Sequence, residues 1–182
     1  MSRIQLYHLG KMVPSGIVFP IQTHSNIIKE VISGHEDLSD TDGVWTLKAT
    51  KLTLGIKTAD CAPIAFLSGD KYGIVHAGWR GLVGGIIESM AEIMGSRATI
   101  FVGPLLPQFE IQRDSCYKLI QAKFGNTFIH TSDKGIIFDF KSAIHSIIPH
   151  AKFDPRSTSA DPTLASWREN HTSNRNTMTV SA

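Results

Sequence analysis

The chain has 182 residues, 42% of them hydrophobic and 19% charged, enough to bury one sizeable core and too few to argue for two domains. Its formal net charge of +2 comes from 18 Lys and Arg scattered singly, so no basic stripe points to nucleic acid or an anionic membrane surface. The apolar runs are far too short for a membrane span, and MSRIQLYHLG lacks the basic, apolar and small-residue blocks of a signal sequence, which reads as a cytoplasmic protein.

In chain order, residues 16–76 carry short β-branched runs broken by Gly, Pro or Asp: GIVF, NIIKEVI, GVWT, KLTLGIKT, PIAFLS and YGIVHA. These predict strands. Residues 82–94 place Leu82, Ile86, Ile87, Met90, Ile93 and Met94 near a 3.6-residue period, and Gly95 is set to end the helix they predict. ATIFV predicts a further strand. Asp114 is a candidate N-cap for a helix to Lys123 stopped by Gly125, and GIIFDF predicts a strand leading to a short helix before Pro149. From Arg156 the composition turns polar, but Trp167 and the alternation of 176–180 predict that the tail rejoins a sheet. There is no internal repeat or linker. Strands grouped ahead of mixed elements favour an α+β fold, layered mixed sheets flanked by helices, over a strictly alternating parallel one, with 1–182 as one domain.

Two cysteines are too few for a disulfide framework. Cys116 sits in the periodic stretch DSCYKLI, which explains it as packing, whereas Cys61 sits in TADCAP, a polar break between apolar runs. Cys61 shares its position at an element end with His24, in IQTHSN, and His76, in IVHAGWRG. One thiolate and two imidazoles leave a tetrahedral zinc one open position, which is the feature that makes such a site catalytic. His8, His35, His130, His145, His150 and His171 have no comparable setting. Spacing alone also allows these three residues to be ordinary core or surface groups.

Residues 72–85 predict a strand ending at His76, a Gly-rich turn with Trp79 and Arg80, and a helix opening at once. A helix N-terminus attracts anions, and Arg80 adds a guanidinium fork, so Gly78, Arg80 and Gly81 are candidate anion-binding residues. The alternative is that Gly78, Gly81, Gly84 and Gly85 only permit close helix-to-sheet packing. No GxGxxG or Walker motif supports a nucleotide cofactor. Asp60, next to Cys61, is a candidate catalytic base or an acceptor orienting a ligand histidine, or else a turn former ahead of Pro63. Glu110 is a more distant candidate acid. The His-x-Glu and Pro-Cys-x-x-Cys signature of zinc nucleobase deaminases is absent.

At Gln22-Thr23-His24-Ser25, Ala59-Asp60-Cys61-Ala62-Pro63 and His76-Ala77-Gly78-Trp79-Arg80-Gly81 the sequence resembles the bacterial laccase-domain family, also called the multicopper polyphenol oxidase or peptidoglycan-editing-factor family. The similarity extends through Thr41-Asp42-Gly43-Val44, Val102-Gly103-Pro104 and Phe109-Glu110-Ile111, and faintly through Ala165-Ser166-Trp167-Arg168 and Arg175. The resemblance implies a layered α+β fold and a metal, usually zinc, on His24, Cys61 and His76, with Gln22 beside the substrate. It also implies purine nucleoside chemistry: phosphorolysis of adenosine, inosine or methylthioadenosine, and adenosine deamination. Small molecules, a purine nucleoside and phosphate, are then the partners. This sequence departs from the family pattern in having Ser25 for Gly and Arg168-Glu169 for an Arg-Arg pair, and the strands usual before Gln22 are largely missing.

Other readings use the same residues. A blue copper site with a trinuclear cluster needs roughly ten histidines, many as His-x-His pairs, and this chain has 8 and no such pair, so zinc is expected before copper. A metal-free cysteine hydrolase would take Cys61 as nucleophile, His76 as base and Asp60 or His24 as orienting group; acting on an amide, it would edit peptidoglycan precursors. A zinc-binding member without turnover is the non-enzyme reading, and a fourth protein ligand would mark it.

Overall fold

The computed structural model describes residues 3–133 and 135–182. The strands are β1 (Arg3–Tyr7), β2 (Ile17–Val18), β3 (Ile28–Glu30), β4 (Gly43–Leu47), β5 (Thr53–Thr58), β6 (Ala62–Leu67) and β7 (Lys71–Ala77). Helices α1 (Trp79–Val83) and α2 (Ile86–Met94) follow, then β8 (Thr99–Val102), β9 (Phe109–Ile111), α3 (Ser115–Phe124), β10 (Ile129–Ser132), β11 (Gly135–Phe138) and α4 (Phe140–Ile147). The chain continues through β12 (Lys152–Phe153) and α5 (Trp167–Asn170) to β13 (Asn176–Ser181).

The fold is α+β, with three mixed or antiparallel sheets. A six-stranded sheet in the order β12-β8-β6-β7-β4-β3 forms the middle layer, a four-stranded sheet β1-β13-β5-β2 faces it, and β10-β11-β9 makes a small third sheet. The period-2 alternation of a strand divides the central residues between two cores. Ile64, Phe66, Val75 and Ala77 join Leu82, Ile86, Ile87 and Met90 on the helical side. Ala65, Tyr72 and Ile74 join Leu54, Ile56, Met178 and Val180 between the two larger sheets. Burying both faces of β6 and β7 explains why these strands read as nearly unbroken apolar runs.

Two expectations need correction, on the helix over 82–94 and on the strand over NIIKEVI. The helix expected over 82–94 is two helices: Gly84 closes α1, and Gly85, at φ 84°, starts α2. Periodicity missed the break because Leu82 and Ile86 keep helical spacing across it, and glycine supplies the left-handed step. Two short strands, β1 and β2, precede Gln22; β1 pairs with β13 and β2 with β5. The strand expected over NIIKEVI shortens to Ile28–Glu30. Two other expectations are met: Asp114 caps α3, accepting from the Cys116 and Tyr117 amides, and the tail re-enters as β13 between β1 and β5. Among the described residues no helix is long and apolar enough to cross a membrane.

Candidate metal centre and cleft

His76 and Cys61 meet because of strand register. His76 pairs directly with Pro63, and Cys61 lies two residues before Pro63, so the alternation of β6 carried one residue beyond its start puts the two side chains diagonally on one face. His24 arrives from the loop ahead of β3, at φ 65°, a backbone conformation unusual for a residue with a Cβ. The histidine rings stand edge to face with centroids 4.8 Å apart. One ligating atom from each of His24, Cys61 and His76 lies within 4.8 Å of the others.

The loop is held by Asp42, which is fully buried. Its carboxylate accepts from the amides of Thr23 (3.0 Å), His24 (3.1 Å) and Ser25 (2.7 Å) and from the Ser25 hydroxyl (2.8 Å). The same group accepts from His76 Nδ1 at 2.6 Å, which leaves Nε2 of His76 for a ligand. One carboxylate thus fixes the strained turn under His24 and the tautomer of His76, as the partners of metal-bound histidines do. Burial pushes the Asp42 carboxyl up, but the donors from His76, Thr23 and Ser25 overcome it and hold the group at about 2. His76 is pulled down by burial and raised more strongly by Asp42 and Cys61, to about 9. Burial likewise raises the Cys61 thiol, and the two histidines outweigh that and bring it to about 7. By contrast burial, with Asp114 beside it, raises Cys116 to about 11.

The donor set fits a zinc-sized, borderline ion: two imidazole nitrogens and a sulfur that is readily thiolate. Among the described residues this is the only such grouping of His, Cys, Asp and Glu. Gly78, the N-cap of α1, makes the approach possible, since a Cβ there would lie 3.0 Å from His24 Cδ2 and 3.1 Å from Cys61 Sγ. Gly81 is crowded by the Ser25 carbonyl at 3.0 Å, so its lack of a side chain serves packing of α1 on the His24 loop.

Asp60 is placed differently from the expectation that it orients a ligand histidine. At φ 87°, it turns its carboxylate toward the C-terminal segment, accepting from the hydroxyls of Thr158 and Ser166, both at 2.7 Å, and from the Arg168 amide at 2.8 Å. The orienting carboxylate is Asp42, whose role sequence reasoning missed. Gln22 exchanges two hydrogen bonds with the Lys57 main chain, at 2.8 and 2.9 Å. Glu110 lines a neighbouring hollow instead of the main cleft.

The triad forms the floor of a cleft of about 660 Å³. Its lining includes Trp79, Arg80, Phe109, Trp167, Arg168, Gln22, Lys57, Thr58 and Arg175. Arg80 stacks on Trp79 at 4.6 Å and Arg168 on Phe109 at 4.5 Å. Among the described residues no carboxylate is ion-paired with Lys57, Arg80, Arg168 or Arg175. Arg168, Arg175, Lys57 and Thr58 were not assigned to the site from sequence; two lie in motifs of the resemblance, and the others mark the end of a predicted strand.

A layered α+β fold with a His-Cys-His centre under a cationic cleft defines the class of protein. Residues 2–177 match the model of the multi-copper polyphenol oxidoreductase laccase family, and the chain belongs to that family. A purine nucleoside phosphorylase of Staphylococcus epidermidis is 42% identical over 86 residues, 41% of this chain and 32% of the relative. One of Aquifex aeolicus is 27% identical over 170 residues, 87% of this chain and 79% of the relative. The match spans half or less of the length of two Staphylococcus epidermidis relatives. Among solved structures, the Bacillus licheniformis hypothetical protein YfiH superposes with a TM-score of 0.76 at 22% identity, covering 91% of this chain and 74% of that one; this likeness concerns the fold.

Proposed function

We propose that residues 1–182 form one catalytic domain of a zinc-dependent purine nucleoside enzyme, acting in the cytoplasm on small molecules by phosphorolysis of adenosine, inosine or methylthioadenosine and by deamination of adenosine. The observation that carries this reading is a three-ligand centre sharing one cleft with Arg80 and Arg168, neither of which is ion-paired with a carboxylate among the described residues, although Arg168 Nη1 donates to the Glu110 carbonyl at 3.3 Å. Relatives named purine nucleoside phosphorylase support it. His24, Cys61 and His76 would hold the metal, which when bound supplies a Lewis acid at an open position.

The chain's own groups do the rest. Arg80 and Arg168 present two guanidinium forks of the shape that grips a phosphate dianion, and the stacked rings beneath them keep the forks extended. Trp167 offers an apolar face for a purine; it is 51% exposed, as suits a ring waiting for a stacking partner. Phosphate held beside the sugar attacks C1′, the C1′–N9 electron pair leaves with the base, and the base takes up a proton. Orientation is the main contribution, because two solutes become one ordered pair. In deamination C1′–N9 stays intact: water attacks C6 of the purine, and the C6–N bond breaks as the amino group takes up a proton and leaves as ammonia.

Purified protein of known metal content, incubated with adenosine with and without phosphate, is expected to release adenine only with phosphate and to form inosine slowly. Both products should vanish in Cys61→Ala; phosphate-independent adenine release or an active Cys61→Ala protein would overturn the proposal.

One observation favours a second reading. Cys61, His76 and Asp42 stand in the order nucleophile, base and orienting carboxylate, the arrangement of a cysteine hydrolase. An amide such as a peptidoglycan precursor is the substrate class for that chemistry.

A further inference from the structure

Asp60 is bound into the molecule more heavily than a turn ahead of Pro63 requires. It is 8% exposed and has no ion pair among the described residues, a costly state for a carboxylate unless hydrogen bonds complete it. Three donors do so, and all come from one distant segment: the hydroxyls of Thr158 and Ser166 reach Oδ1, and the Arg168 amide reaches Oδ2. The main chain of Asp60 holds a second segment, its carbonyl accepting from the Leu106 amide at 2.9 Å. The two segments also meet each other, where Leu105 bridges to Ser157 and the Thr158 amide donates to the Leu105 carbonyl at 3.2 Å.

Both segments line the cleft. Leu106 and Phe109 belong to one, Trp167 and Arg168 to the other. Asp60 stands at φ 87°, a left-handed conformation that Asp and Asn tolerate better than other residues with a Cβ. The turn sends neighbouring side chains to different partners: the Cys61 sulfur joins His24 and His76, and the Asp60 carboxylate meets the C-terminal segment. Ser166, besides donating to Asp60, is the N-cap of α5 and accepts from the Glu169 amide. Trp167 and Arg168 are the first two residues of α5, so one carboxylate fixes the backbone that carries both. With its amide held by Asp60 and its guanidinium 4.5 Å from the centre of the Phe109 ring, Arg168 is located at both ends.

We infer that Asp60 is a positioning residue, which sets the span between the metal centre and the wall of Trp167 and Arg168 and acts on substrate through Arg168 instead of as an acid or base. Both of its carboxylate oxygens already accept from protein donors. Asp60 and Cys61 are consecutive, so a single peptide unit refers the wall to the thiol. Such placement matters because a misplacement on the order of 1 Å in a positioning group costs up to about 100-fold in rate. The inference rests on the nucleoside reading above for the identity of the substrate, and on the contacts alone for the placement.

The test compares adenosine phosphorolysis by metal-bearing wild type, Asp60→Ala, Asp60→Asn, Thr158→Val, Arg168→Gln and the double variant Asp60→Ala/Arg168→Gln. Asp60→Ala should raise KM for phosphate about tenfold, the scale of one charge-assisted contact, and the double variant should be no worse than Arg168→Gln by more than about threefold. Asp60→Asn should recover most of the loss: its carbonyl oxygen still accepts from the Arg168 amide, and its NH2 group faces two hydroxyl oxygens that can accept. A catalytic acid or base would be lost in Asn as completely as in Ala. Thr158 is buried and outside the cleft lining, yet Thr158→Val, which keeps the side chain's shape, should raise the same KM about threefold with metal content unchanged. Asp60→Asn as inactive as Asp60→Ala overturns the inference, as do additive losses in the double variant. Should Asp60→Ala fail to fold, an unaltered KM in Thr158→Val overturns it. Hydrogen exchange gives a readout free of turnover, since the Arg168 amide should be protected in wild type and in Asp60→Asn and exposed in Asp60→Ala. Equal exchange in wild type and Asp60→Ala overturns the placement whether or not nucleosides react. Wild-type protein that turns over no nucleoside sinks the nucleoside reading alone; phosphate affinity by calorimetry then replaces KM in the same comparisons, and a wild type that binds no phosphate either overturns the inference too.

Discussion

The floor and the rim of the cleft follow opposite rules. On the floor every charge is answered: Asp42 is fully buried, meets four donors besides His76, and holds a backbone turn that His24 would not otherwise adopt. On the rim Lys57, Arg80, Arg168 and Arg175 are left without carboxylates among the described residues. The difference teaches that the groups fixed in one geometry are those buried together, while the cations at the cleft rim have no carboxylate ion-pair partner among the described residues, as the proposed function requires.

Thiol alkylation of metal-free protein probes this contrast with the largest expected effect. The Cys61 thiol is depressed, so its reactive thiolate appears as pH rises through about 7, whereas the raised Cys116 thiolate appears only toward about 11. After allowing for the weaker nucleophilicity of the lower-pKa thiolate, labelling at neutral pH should favour Cys61 by about 100-fold. Peptide mapping across a pH series measures it. Metal-bearing protein should resist labelling until a chelator is added; equal rates with and without chelator would select the cysteine-hydrolase reading.

Asp42→Ala tests the floor directly. It should weaken zinc binding about 10- to 100-fold and lower stability by about 3 kcal/mol, since four donors and a buried imidazole lose their acceptor. Chelator competition and denaturant titration read the two effects separately. Asp42→Ala protein with unaltered metal affinity would mean that the floor is not built around this carboxylate.

Arg168→Gln tests the rim, with a smaller effect. Metal affinity and stability should stay near wild type, while KM for phosphate rises about tenfold through loss of one charge-assisted contact. A fall in metal content in this variant would erase the distinction between floor and rim.

How much of this was legible beforehand follows the same division. His24, Cys61 and His76 could be read from their motifs because each stands at an element end, and α3 was predictable because Asp114 and Gly125 mark its ends. The role of Asp42 was not, although Thr41-Asp42-Gly43-Val44 had been singled out, because it depends on β4 and β7 lying side by side with the Asp42 carbonyl bonded to the His76 amide. Register between separate strands leaves no trace in local sequence. The partners of Asp60 were hidden for a related reason: its local setting suggests a turn former, a base or a histidine partner, while the donors its carboxylate meets belong to Thr158, Ser166 and Arg168, 98 to 108 residues away. The break at Gly84 and Gly85 escaped because the apolar period runs straight through it.

The Asp60 contact also bears on the order of events during synthesis. Thr158, Ser166 and Arg168 emerge from the ribosome about a hundred residues after Asp60, and β5 gains its neighbour β13 later still. Closing so long a loop is entropically slow, so a nascent chain that already displays His24, Cys61 and His76 has the floor of the cleft but not its Arg168 wall. The three donors of the floor are thus all synthesised well before the Arg168 wall, and the cleft takes its final form only once the chain has closed on itself.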